Sequence, residues 1–198
     1  MKKISTRIAF GEKLVELGDK YPDLVVLDAD LAKATMTVLF KKAFPKRFFD
    51  LGIAEQDLIG TAAGLATCGK IPIVSTFAVF AAGRAFEQIR NSVCYPGLNV
   101  KIVATHGGIS IGADGGSHQA IEDLSLMRTL PNMTVLVPAD GIATGWAIEK
   151  ALEIKGPVYV RLGRFEIPVI YDQYDLPEYL FSVGKSNTLV KGTDVLLA

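Results

Sequence analysis

Cysteine, histidine and net charge are what this sequence has little of. Its 198 residues include only two cysteines and two histidines. Cys68 and Cys94 have no metal-ligand spacing, so a disulfide framework and a structural zinc site are both excluded. Both read as free, buried thiols of a reducing compartment. The 21 Lys+Arg are matched by 21 Asp+Glu, and without a basic excess to neutralise phosphates nucleic acid is not the expected partner. No apolar run reaches transmembrane length. The opening MKKISTRIAFGEKL lacks the apolar core and the small-residue cleavage site of a secretory signal. A cytoplasmic protein without a membrane partner is expected. No internal repeat or low-complexity tract is visible.

What is present is apolar and alternating. Hydrophobic residues make up 49% of the chain, too many for disorder and ordinary for a buried sheet. Short Val/Ile-rich runs bounded by Gly, Pro or Asp predict strands over 24–30, 48–53, 71–77, 99–106, 133–140 and 157–163. Helical segments are expected from Ser5 or Thr6, with Glu12 and Glu16 outward, and over about 54–68, 79–94, 121–129 and 141–154. This alternation predicts an α/β fold, a doubly wound, mostly parallel sheet with helices on both faces. Its crevice lies beyond the carboxyl ends of the strands. Asp28, Asp30, Glu55, Phe77, His106, Arg161 and Arg164 all fall there. The expected organisation is a domain over 1–168, a linker over 169–187, and the first strand or strands of a further domain over 188–198.

Four stretches carry chemistry. In DLGIAEQDLIGTAAGLA, Glu55 opens a helix whose following residues are nearly all small. A carboxyl in a dry site holds its proton to higher pH, because desolvation disfavours the charged form; a solvated first-turn glutamate is the alternative. The stretch THGGISIGADGGSHQAIEDL puts both histidines, His106 and His118, into one glycine-rich loop with Asp114. Such a loop lets backbone approach a ligand closely. A flexible surface loop and a His106–Asp114–His118 metal site are the alternatives. In STFAVFAAGRAFEQIR, Phe77 and Phe80 offer either core packing or a wall for a flat heterocycle. In VVLDADLAKAT, Asp28 suggests an aspartyl-phosphate nucleophile, or else a strand-end turn with Asp30 capping the next helix.

Taken together and in order, DLGIAEQ, STFAVF, ATHGGISIGADGGSHQAIEDL, LPNMTVLVPAD and VRLGRFEIP resemble the pyrimidine-binding domain of transketolase, from about Arg7 to Pro168. GTDVLLA is similar to the first strand of that family's third domain. The resemblance implies a thiamine diphosphate-binding fold and transfer of a two-carbon ketol unit between sugar phosphates. It implies that Glu55 hydrogen-bonds N1′ of the cofactor's aminopyrimidine, that Phe77 and Phe80 line its pocket, and that Asp30 lies near the cofactor. It places His106, Asp114 and His118 in the substrate channel, with the histidines catalytic, and gives Arg7 and Arg164 the sugar phosphate. Arg161 ranks below them. The small residues after Glu55 would admit a facing helix that keeps water out.

The sequence also departs from the family pattern. Ala54 and Gln56 replace an arginine and a histidine, Gly83 an aromatic residue, and Ala34 a serine. No Gly-Asp-Gly motif occurs, so the resemblance implies that Mg²⁺ and the diphosphate are held by another chain. That chain would be the N-terminal section of a split transketolase, in a dimer or heterotetramer. A 2-oxoacid dehydrogenase beta subunit, a 1-deoxyxylulose-5-phosphate synthase-like enzyme and a non-catalytic interaction subunit are the competing expectations.

Overall fold

The computed structural model describes residues 2–171, 182–185 and 188–195. In chain order the elements are β1 (Lys3–Ser5), α1 (Thr6–Lys20), β2 (Leu24–Asp28), α2 (Ala32–Thr35), α3 (Val38–Ala43), β3 (Phe48–Asp50), α4 (Glu55–Thr67), β4 (Ile71–Phe77), α5 (Ala78–Arg84), α6 (Phe86–Gln88), β5 (Lys101–Thr105), α7 (Asp123–Arg128), β6 (Thr134–Leu136), α8 (Gly141–Glu153), β7 (Val158–Arg161) and β8 (Glu166–Pro168).

Six strands form one sheet in the order β3-β2-β4-β5-β7-β6, and all their pairings are parallel. Both faces of each inner strand are apolar because both are covered. Val25, Leu27, Val74, Ile102 and Tyr159 join one core with residues of α4, α5 and α7. Leu24, Val26, Ile73, Val103 and Val158 join the other with residues of α1, α3 and α8. Burial that alternates between two apolar layers explains why the strands read as continuous hydrophobic runs. Glu12 and Glu16 of α1 are exposed, as expected.

From β2 the chain moves one way to β3, and from β4 the other way to β5. The β2/β4 junction is therefore a switch point, where parallel sheets of this kind open a crevice. Helix α4, crossing from β3 to β4, brings its first residue, Glu55, to the carboxyl end of the sheet.

A second, antiparallel sheet of two strands pairs Lys3 with Pro168 and Ser5 with Glu166. Beside it, Asp140 caps α8 by accepting from Ala143 N–H and also accepts from the N–H groups of Ile170 and Tyr171, at 2.7–2.9 Å.

Three expectations are corrected. Cys68 is exposed and only Cys94 is buried, because Cys68 caps the carboxyl end of α4 at the surface. The single helix expected over 79–94 is broken at Ala85 and finishes as a π-helix over Ile89–Cys94. Gly83, a poor helix former, precedes the break. The small residues of α4 meet facing helices on one side only: Ala62 and Ala63 are buried in one core with Ala81, Ile89 and Val93, whereas nothing lies within 4 Å of the Cβ position of Gly60 or Gly64.

Of the expected linker and further strand, residues 172–181, 186–187 and 196–198 lie outside the described residues; residues 188–195 are exposed. Among the described residues no helix is long and apolar enough to cross a membrane.

Candidate functional site

Glu55 is the first residue of α4 and only 4% exposed. Its two carboxylate oxygens each accept from Arg84 Nη1 at 3.2 Å. The Arg84 guanidinium also lies over the Phe80 ring, 4.0 Å from its centre. Phe80 and Arg84 are four residues apart on α5, so they share one helix face. Gln56 fixes the backbone there, donating through Nε2 to the Arg84 carbonyl at 3.2 Å. Desolvation alone does not describe Glu55: a cation sits against it.

Phe77 and Phe80 are nearly parallel, with centroids 5.8 Å apart. His106 stacks on Phe77 at 3.8 Å, and His118 meets Phe80 edge-on at 5.3 Å. The glycine-rich loop is thus folded against the aromatic pair. His106 takes a left-handed backbone (φ 59°), and its Nδ1 lies 2.9 Å from Thr105 Oγ1. Burial, with the charges of Arg7 and Arg164, pushes its pKa down to about 4. The imidazole is neutral at pH 7.

Asp114 faces Arg164, whose Nη1 lies 3.3 Å from its Oδ2 and also donates to the Ile111 carbonyl. Arg7, in the first turn of α1, donates to the carbonyls of Arg164 (3.1 Å) and Ala34 (2.7 Å). Burial and the neighbouring Arg164 lower its pKa. The two arginines are thus near enough for the charge of one to act on the other, and Arg7 lies in a first helical turn with no acidic residue, a setting that favours an anion.

Arg161 is a framework residue. Its guanidinium pairs with buried Asp123 at 3.2 Å, which also accepts from Tyr159 Oη at 2.9 Å, and its Nη2 donates to the Ala120 carbonyl. It lies directly under the loop. A Cβ on Gly107 would come within 2.4 Å of Arg161 Nε.

The Asp28 nucleophile is ruled out by its surroundings. Asp28 is fully buried, and its carboxylate accepts from Leu31 N–H, Thr35 Oγ1 and Thr37 Oγ1 at 2.6–2.8 Å. Asp28, not Asp30, holds the turn into α2. Asp30 is exposed at the end of β2 with φ 61°, and its N–H donates to Asp50 Oδ1. No metal-binding cluster of His, Cys, Asp or Glu occurs among the described residues.

The structure thus brings Glu55, Phe77, Phe80, His106 and His118 together, and gathers Arg7, Asp114 and Arg164 nearby. Sequence reasoning missed Arg84, although its spacing from Phe80 was a usable signal. Residues 2–169 match the family described as "Transketolase, pyrimidine binding domain".

The chain belongs to that family.

A protein of Methanocaldococcus jannaschii provisionally named transketolase C-terminal section is 54% identical over 191 residues, covering 96% of this chain and 60% of its own length. Human transketolase is 39% identical over 193 residues, 97% of this chain and 30% of that protein. The solved structure "Split gene transketolase, inactive beta4 tetramer" superposes with a TM-score of 0.83 at 60% identity, over 96% of this chain and 59% of that one. This chain of the transketolase pyrimidine-binding family therefore spans about three-fifths of the split relatives it matches.

Proposed function

We propose that this chain is the pyrimidine-binding part of a thiamine diphosphate-dependent transketolase that moves a two-carbon ketol unit between sugar phosphates. The observation that carries the reading is a buried carboxylate, Glu55, beside the stacked Phe77 and Phe80, in a chain of this family. That set of residues fits a flat aminopyrimidine: rings to stack on, and a buried acceptor that could serve a ring nitrogen. When bound, thiamine diphosphate supplies the electron sink for breaking a carbon–carbon bond beside a ketose carbonyl.

Glu55 holds a proton at the ring nitrogen N1′. Phe77 and Phe80 orient the ring and keep water from it. His106, neutral at pH 7, can accept a proton or a hydrogen bond from the sugar, and His118 stands beside it. Asp114 reads a sugar hydroxyl, Arg164 and Arg7 hold the phosphate, and Asp30 lies at the cofactor's margin. Arg7 and Arg164, near enough to act on each other's charge, favour a sugar phosphate over a 2-oxoacid.

Mg²⁺ and the diphosphate would be held by an N-terminal transketolase section, since no Gly-Asp-Gly occurs in this sequence. The names of the split relatives support that assembly. So does the exposed face of α4 at Gly60 and Gly64, which faces away from the buried Glu55 side and is open to a partner.

The test is Glu55→Gln in the complex reconstituted with the N-terminal section. Glutamine keeps the shape but cannot share the proton. Exchange of the cofactor's thiazolium C2 proton should slow by about 10²–10⁴. Equal exchange rates would remove Glu55 from the mechanism.

A further inference from the structure

We propose that Arg84 is a displaceable plug of the aminopyrimidine pocket, occupying the seat in the cofactor-free protein and giving it up when the cofactor binds. The inference rests on reading Glu55 and Phe80 as that seat. Arg84 already makes the two contacts an aminopyrimidine would make. It is planar and stacks on Phe80 at 4.0 Å, and its N–H groups donate to Glu55. A group that uses the same ring face and the same acceptor competes with the cofactor.

The geometry suits a plug better than a fixed strut. Both Glu55 oxygens share one nitrogen, Nη1, at 3.2 Å. A side-on fork would use two nitrogens at about 2.7–2.9 Å. The pair is therefore longer and weaker than an arginine–carboxylate pair can be. The side chain is 52% exposed while its partner is 4% exposed, so the guanidinium can swing into water without breaking the core. Its backbone stays in place, held by Gln56. Beside it Gly83 has nothing within 4 Å of its Cβ position, which leaves space for the displaced side chain.

The pair also protects the apo protein. A buried carboxylate without a partner is costly, and Arg84 supplies that partner until the cofactor does. Removing Arg84 therefore raises the free energy of the empty site alone, and linkage turns that into tighter binding.

The experiment uses Arg84→Gln and Arg84→Lys in the reconstituted complex with Mg²⁺. Thiamine diphosphate affinity is measured by calorimetry, and melting temperature with and without the cofactor. Arg84→Gln should tighten Kd by about three- to thirtyfold, the range between an exposed ion pair and a charge-assisted hydrogen bond. It should lower the melting temperature of the cofactor-free complex and leave that of the loaded complex unchanged. Arg84→Lys keeps the charge but loses the planar stack, so it should fall between wild type and Gln. Unchanged or weaker binding by Arg84→Gln, with wild type binding normally, overturns the plug and leaves the cofactor reading standing. If the wild-type complex binds no thiamine diphosphate, the cofactor reading fails and the plug fails with it.

Discussion

Acidification should destabilise this protein through His106, by an amount the structure sets. The imidazole is 2% exposed, stacked on Phe77 and within the field of Arg7 and Arg164. Its pKa is about 4 in the folded state, against about 6.5 in an unfolded chain. Between those values the unfolded state binds the proton and the folded state does not. The stability His106 contributes is therefore complete above pH 6.5 and is lost as the pH falls toward 4. At roughly 1.4 kcal/mol per tenfold in proton affinity, the whole difference is ~3 kcal/mol, of which somewhat under half is gone by pH 5.5. The control is His106→Asn. Asparagine tolerates the left-handed backbone at φ 59° and keeps a polar atom facing Thr105, but it does not titrate. Urea unfolding of both proteins from pH 7 to pH 4 isolates the residue, because the carboxylates they share cancel in the difference. The variant's stability should fall less steeply. With only two histidines in the chain, NMR titration gives a direct reading: the His106 ring signals should stay flat to about pH 5. A His106 midpoint near 6.5, or equal pH slopes for the two proteins, would refute the argument.

Arg164→Ala should raise KM for a phosphorylated ketose by about ten- to a hundredfold with a smaller change in kcat, since a remote phosphate contributes binding shared by ground and transition states. Hydroxypyruvate, which has no phosphate, should be spared; equal loss for both donors would mark Arg164 as structural. Gly107→Ala should push Arg161 away from the loop and cost about 1–3 kcal/mol in unfolding free energy, read as a lower denaturant midpoint. Asp28→Ala should cost at least as much, because it removes the charged acceptor shared by two buried hydroxyls and the Leu31 N–H. A neutral result there would mean that water satisfies them.

How much of this was legible in the sequence depends on distance along the chain. The four inner strands, β2, β4, β5 and β7, were readable because burial on both faces leaves an apolar run in each; the edge strands β3 and β6 are shorter and more exposed than the runs that announced them. Glu55 and the loop from His106 to His118 were readable because unusual residues crowd into short stretches. Strands β1 and β8 were not: each has three residues, and their pairing joins positions more than 150 apart. Asp114 and Arg164 were both named as site residues, but that they face each other is a tertiary fact. Cys68 was misplaced because residue type decided its burial, whereas the end of α4 put it at the surface. The openness of Gly60 and Gly64 was missed for a related reason. Small residues show that something can approach closely, not which chain brings it.

The clasp between β1 and β8 bears on gene architecture. Because the incoming and outgoing segments lie side by side, and Asp140 fastens the outgoing one to α8, the unit closes on itself wherever the surrounding chain is cut or joined. A module with adjacent ends can be spliced into a longer polypeptide or expressed without its neighbour at little cost to its interior. The matches show the module in both settings: about 30% of one long human chain, and about 60% of a shorter archaeal one. Fission or fusion of the coding sequence at these ends would leave the sheet, and Glu55 at its edge, undisturbed.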